Sequence, residues 1–253
     1  MFDNVAELYD KIRPAYPEEL FDALIQTTGL NASSKLLEIA PGTGQATVSL
    51  ARRGLDITAV ELGHRMSEIA RKNLREFDAV RVMTGAFEDV ELADESFDAV
   101  YVATAFHWIE PAARFSKPSQ VLKTKGYFAI ISAAQISDGD DRFFEATQPL
   151  YQKFMPSAPG SPPFSLQRLA EIAPAELDES LFQLVRFDTF PRTITYEAED
   201  YCAQLSTESD KLALRRDERT AFLDEMRGLI NDRFGGVVTR CHANSLTIAR
   251  KRT

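Results

Sequence analysis

Between Lys35 and Ser132 short apolar runs alternate with stretches of helical spacing, and this alternation constrains the fold more than any other feature of the chain. It reads as strand Lys35 to Ile39, helix Gln45 to Arg53, strand Ile57 to Val60, helix His64 to Phe77, strand Val80 to Thr84, strand Phe97 to Thr104, helix Ala112 to Leu122 and strand Tyr127 to Ser132. Strands that read as unbroken apolar runs are covered on both faces, and helical connections between them make the sheet parallel. The expected fold is α/β: a doubly wound, Rossmann-like, mainly parallel seven-stranded sheet with helices on both faces and a helical cap or insertion.

Two helices, Val5 to Ile12 and Glu18 to Thr28, precede the first strand, the second opened by Pro17 and closed by Gly29. Beyond Ser132 the pattern changes. Asp138 to Phe154 reads as a helix, and the run MPSAPGSPPFS after it is dense in turn residues, as in a loop or lid. A strand at Leu184 to Phe190, two or three helices between Ala198 and Asp232, and a last strand at Ser245 to Ala249 follow. The expected division is 1–136 as the ligand-binding core with its leading helices, 137–183 as the cap, and 184–253 as completion of the sheet.

A chain of 253 residues, 44% hydrophobic, can bury a sizeable core. Its net charge of -9 argues against a nucleic-acid partner, because reading a phosphate backbone takes concentrated Lys and Arg. No apolar run approaches the ~18 residues of a membrane span, so the expectation is a cytoplasmic protein with a small-molecule partner and no membrane partner. Cys202 and Cys241 read as small buried hydrophobes, and His64, His107 and His242 lack metal-ligand spacing, so no metal is expected. Oligomeric state is left open.

The break after the first strand carries the chemistry. E-x-A-x-G-x-G, Glu38 to Gly44, stands where the strand-to-helix turn of such a sheet meets its ligand, and Gly42 and Gly44 let the backbone approach closely. G-x-G-x-x-G is absent, and an acid beside a pyrophosphate is awkward. Glu38 suits a cationic ligand instead, directly or by bonding the loop amides. About twenty residues beyond the glycines, Glu61 ends the second strand, where a carboxylate accepts both hydroxyls of a ribose. Met66, a turn further on, either lies against a flat base or belongs to the core.

In order, ELYDKIRPAYP, LLEIAPGTGQAT, ITAVELGHRM, TGAFEDVEL, FDAVYVATAFHWIEP and GYFAII together resemble the class I S-adenosylmethionine-dependent methyltransferases. The likeness is to the small-molecule branch that includes the quinone-biosynthesis and trans-aconitate enzymes. It covers roughly residues 5 to 132 well. The resemblance implies S-adenosylmethionine as cofactor, with Glu38, Ala40, Gly42 and Gly44 around its methionine portion, Glu61 on the ribose, and Met66, Ala86 and Phe87 at the adenine. It implies Arg13 as a partner for the cofactor carboxylate, Thr104 at the sulfonium end, and Tyr9, Tyr16 and Trp108 near the acceptor. Two positions depart from the family pattern. Ala40 replaces a glycine, which suits a backbone that keeps φ below zero there. Ala86 replaces an Asp, leaving the adenine amino group to Glu88, Asp89 or main-chain atoms.

Methyl transfer needs aligned reactants more than a nucleophilic side chain. His107, in the loop after the fourth strand, is either a base for the acceptor or a shaper of its pocket. Trp108 is either an apolar wall or an anchor of that loop. Arg142, Arg168, Arg186 and Arg192 suit an acidic acceptor if they face the pocket, and need no explanation as surface charges. The alternatives are a non-catalytic S-adenosylmethionine-binding protein and an NAD-dependent oxidoreductase, which Glu61 alone permits.

Overall fold

The structure is a computed structural model that describes residues 2–137, 142–157, 163, 165–172 and 177–253. Strands β1 (Lys35–Ile39), β2 (Asp56–Glu61), β3 (Val80–Thr84), β4 (Phe97–Ala103), β5 (Leu122–Gln135), β6 (Phe182–Glu197) and β7 (Val237–Lys251) form one sheet of order β3-β2-β1-β4-β5-β7-β6. β1 pairs in parallel with β2 and β4, β2 with β3, and β4 with β5. Its helices are α1 (Ala6–Ile12), α2 (Glu18–Thr28), α3 (Gln45–Ala51), α4 (His64–Asn73), α5 (Ser116–Val121), α6 (Arg142–Phe154), α7 (Leu166–Ile172), α8 (Ala198–Leu205), α9 (Ser209–Leu212) and α10 (Arg216–Phe234).

Two compact units interleave along the chain, where the sequence led us to expect consecutive stretches. One comprises Pro14–Ala133, Ala170–Phe190 and Asn244–Thr253 and holds β1 to β4 with the corresponding parts of β5, β6 and β7. Alternate residues of its strands feed opposite layers. Leu36, Ala99, Tyr101, Ile57 and Ile131 pack with Leu20, Phe21, Ala46 and Leu50 of α2 and α3. Leu37, Ile39, Val60, Val100, Val102 and Phe128 pack with Phe87, Phe106 and Val121 on the other side. This double cover is what the continuous apolar runs dictate. Sharp punctuation sets the limits of α2: Pro17 caps its start, and Gly29, at φ 71°, donates its N–H to the Ile25 carbonyl.

The other unit comprises Met1–Arg13, Ala134–Leu169 and Pro191–Ala243. Phe143 and Met155 with Tyr196, Tyr201, Cys202, Phe222, Met226 and Ile230 make its core, in which α10 meets α6 and α8. α10 stops at Gly235 and Gly236, both left-handed at φ 65° and 83°.

Several expected elements change extent. β5, β6 and β7 all outrun their apolar segments, because ladder hydrogen bonds continue where side chains turn polar. The predicted helix at Ala112 to Leu122 shrinks to α5, preceded by a turn in which Ala113 and Arg114 donate to the Glu110 carbonyl. At the start of β5, Lys125 is left-handed at φ 66° and Gly126 is obligatory, since a Cβ there would lie 2.9 Å from the Lys123 carbonyl oxygen. Most of the proline-rich run expected as a lid, and the first residues of the helix expected from Asp138, lie outside the described residues.

Candidate functional site

The order of the sheet reverses at β1, with β2 on one side and β4 on the other, and such a reversal opens a crevice at the carboxyl ends of the strands. Ile39 pairs in register with Val60 and Val102, so the tips of the three strands lie together. Around them the chain is strained. Ala40 has φ 54°, Gly42 62°, Gly44 95° and Thr104 54°. The expectation that Ala40 keeps φ below zero is wrong: its N–H donates to the Val60 carbonyl at 2.9 Å, and turning the chain out of β1 takes the backbone left-handed. For a β-branched residue such as Thr104 that conformation is rarer still. Strain of this kind gathers at functional sites, and here it flanks the reversal point. Replacing Ala40 by Gly should raise stability by about 1 kcal/mol, the relieved left-handed cost less the added freedom of the unfolded chain. Thermal melting checks this; a lowered midpoint would show that the alanine methyl is needed for packing.

Glu61 organises the loops. One carboxylate oxygen accepts the Gly42 N–H at 2.9 Å and the other the Gly63 N–H at 2.7 Å, while its carbonyl accepts the Gly85 N–H at 2.9 Å. It is 7% exposed. Asn73 adds a bond from its Nδ2 to the Thr43 carbonyl at 2.9 Å, tying the end of α4 to the glycine loop.

Glu38 does a different task from the one expected. Bonding the loop amides falls to Glu61, whereas the Glu38 carboxyl is fully buried behind the loop. Its Oε2 accepts hydroxyls from Thr47 at 2.5 Å and Tyr101 at 2.6 Å, and its Oε1 is buried without a hydrogen-bond partner. Burial pushes its carboxyl up to about 7 against the pull of those two hydroxyls. Thr47 and Tyr101 escaped the sequence reading, although Tyr101 pairs in register with Glu38 once β1 and β4 are neighbours.

The hydroxyls of Thr104 and Tyr16 lie 2.7 Å apart. Thr104 spends its proton on the Ala103 carbonyl at 2.8 Å, so Tyr16 is the donor. Met66 is buried on α4, and Phe87 is buried in the core with the Lys117 ammonium 5.2 Å from its ring centre. Ala86 is half-buried, and its carbonyl accepts the N–H groups of Asp89 and Val90. Of the two acids considered for the adenine amino group, Glu88 accepts the Glu110 N–H at 2.9 Å through one oxygen, and Asp89 is exposed. His107 is exposed, 5.0 Å from the Trp108 ring at a tilt of 43°. Trp108 is 54% exposed, whereas its neighbours Phe106 and Ile109 are buried in the core at 5% and 4%. Tyr9 and Arg13 belong to the other unit. There the Arg13 guanidinium lies 4.9 Å from the Tyr9 ring centre and donates to the Thr207 hydroxyl at 3.1 Å and carbonyl at 2.9 Å.

A glycine loop after β1 and an acid at the tip of β2, at the reversal point of a doubly wound sheet, define a Rossmann-like fold. Residues 37–130 match the family model described as Methyltransferase domain. An uncharacterised methyltransferase of Mycobacterium tuberculosis is 34% identical over 130 residues, 51% of this chain and 51% of the relative. The chain thus spans about half the length of these curated relatives. A solved structure from Anaeromyxobacter dehalogenans, named as a candidate type II methyltransferase, shares the fold with a TM-score of 0.66 at 19% identity, covering 95% of this chain and 97% of that one. So does phosphoethanolamine N-methyltransferase 2 of Haemonchus contortus, solved with phosphomonomethylethanolamine and S-adenosylhomocysteine, with a TM-score of 0.53 at 16% identity, covering 99% and 58%. Among the described residues no helix is long and apolar enough to cross a membrane.

Proposed function

We propose that this chain transfers a methyl group from S-adenosylmethionine to a small-molecule acceptor, in the cytoplasm. One observation carries the reading: Glu61 is held by two backbone amides at the tip of β2, beside a loop of Gly42 and Gly44 that lacks the pyrophosphate pattern. The donor set fits the cofactor. A carboxylate at the tip of β2 suits a ribose diol.

When bound, the cofactor supplies an activated methyl group, and positive charge is lost at sulfur as that group leaves. The chain has to hold and align. Glu61 would grip the ribose, Gly42 and Gly44 would admit the methionine portion, and Thr104, fixed by Tyr16, would line the sulfonium end. Alignment alone can contribute ~7 to 11 kcal/mol toward the barrier, so the absence of a nucleophile in the site is no obstacle. The exposed His107 is the residue we assign to take a proton from the acceptor, with Trp108 as an apolar wall.

Titration calorimetry with S-adenosylhomocysteine and with NAD tests the reading, and the expected result is saturable binding of the first alone. Binding of NAD alone would reverse it. In a panel of acceptors scored by formation of S-adenosylhomocysteine, His107→Ala should lower turnover roughly a hundredfold with cofactor affinity unchanged. Equal turnover across pH would leave the imidazole a matter of shape.

A further inference from the structure

In the unit that contains Pro191–Ala243, one buried cation stands without the partner its burial requires. The Ala198 N–H donates to the Gly236 carbonyl at 3.0 Å, and the side chains of Thr195 with Thr239 and Thr193 with Cys241 meet at 2.9 and 3.3 Å. Rising numbers on β6 therefore meet falling numbers on β7, and these strands run antiparallel with Thr193, Thr195, Thr239 and Cys241 on one face. Alternation puts Arg192 and Tyr196 of β6, and Arg240 and His242 of β7, on the other. The Tyr196 and His242 rings are 6.5 Å apart.

Arg240 is only 8% exposed, and its guanidinium lies 5.0 Å from the Phe143 ring centre. It makes no hydrogen bond or ion pair among the described residues, and its Nε is fully buried. Lys211, also buried in the same unit, shows what is missing: its ammonium has Glu208 at 2.9 Å and Asp210 at 2.8 Å. Those acids are spent on Lys211. Arginine cannot shed its proton, and a ring face offsets only part of the cost of burying an unpaired charge. The Nε2 of His242 is likewise buried with no partner. Burial, with Arg192 and Arg240 adding to it, pushes this imidazole down to about 4, so it stays neutral while the cations beside it do not.

We propose that Arg240, with Arg192, Tyr196 and His242 around it, forms a binding site for a small oxyanion, a carboxylate or phosphate group on a small molecule. The guanidinium fork matches both groups bidentately, and so deeply buried a side chain is beyond the reach of a macromolecular polyanion. The proposal stands independently of methyl transfer, since it does not require the bound anion to be the acceptor.

The test uses the full chain at pH 7.5 in low salt, titrated calorimetrically with citrate, malonate and inorganic phosphate, with glycerol as the uncharged control. At least one anion should bind saturably and glycerol should not, and Arg240→Met, which keeps the contact with Phe143, should weaken that binding at least tenfold. If that variant fails to fold, Arg192→Met, at a half-buried position, carries the same expectation. No saturable binding of any of the three anions, or binding unchanged in the folded variant, overturns the site. Turnover of a bound anion in the methyl-transfer assay would identify it as the acceptor, and binding without turnover as a separate ligand; both uphold the site.

Discussion

Glu61→Ala should cost both the fold and the ligand. From the strand-end position alone, one expects the substitution to act on the cofactor and leave the fold intact. The structure changes that expectation, because the carboxylate also holds the Gly42 and Gly63 amides. Removing a charged acceptor leaves two partly buried N–H groups unmatched, a destabilisation of about 3 kcal/mol, and affinity for S-adenosylhomocysteine should fall by about 1.5 to 3 kcal/mol more. Denaturant unfolding measures the first quantity and calorimetry under native conditions the second. Stability within 0.5 kcal/mol of wild type, on the order of a neutral surface change, would mean that the loop does not depend on this carboxylate.

Glu38→Gln should make the protein more stable at pH 8 and change little at pH 5. In the folded chain burial raises the Glu38 carboxyl from 4.5 to about 7. The folded state therefore binds its proton more tightly than the unfolded state. Its contribution is complete below pH 4.5 and is lost as pH rises through about 7. A shift of that size corresponds to about 3 kcal/mol. Glutamine accepts the Thr47 and Tyr101 hydroxyls with one oxygen and has no charge to bury. His242 slopes the other way, because its folded value lies near 4 and its unfolded value near 6.5, so it adds stability as pH rises between them. The wild-type curve sums these with other shifted groups such as Glu18 and Asp98. The difference between wild type and Glu38→Gln isolates the carboxyl, and a difference flat from pH 5 to 8 would show that Glu38 is ionised throughout.

Local chemistry made several boundaries legible. α2, β1 and β3 begin and end where the sequence reading put them, since Pro17, Gly29 and the abrupt ends of apolar runs act on the residues beside them. The apolar pattern predicts a last strand over Ser245 to Ala249, whereas β7 spans Val237–Lys251, because a strand needs only a neighbour with which to exchange backbone bonds. The site shows the same contrast. Gly42, Gly44 and Glu61 are visible as a pattern, whereas the partners of Glu38 lie 9 and 63 residues away.

The sequence by itself determined the alternation of strands and helices, the loop of small residues after β1 and the acid at the tip of β2, because hydrophobic period and glycine chemistry act within a few residues. Tertiary structure alone decided that Ala40 and Thr104 turn left-handed, that Glu61 rather than Glu38 carries the loop amides, and that Arg240 is buried without a counter-charge. Each of these depends on which strand lies beside which, and strand order is set by the burial of the whole sheet rather than by any stretch of it.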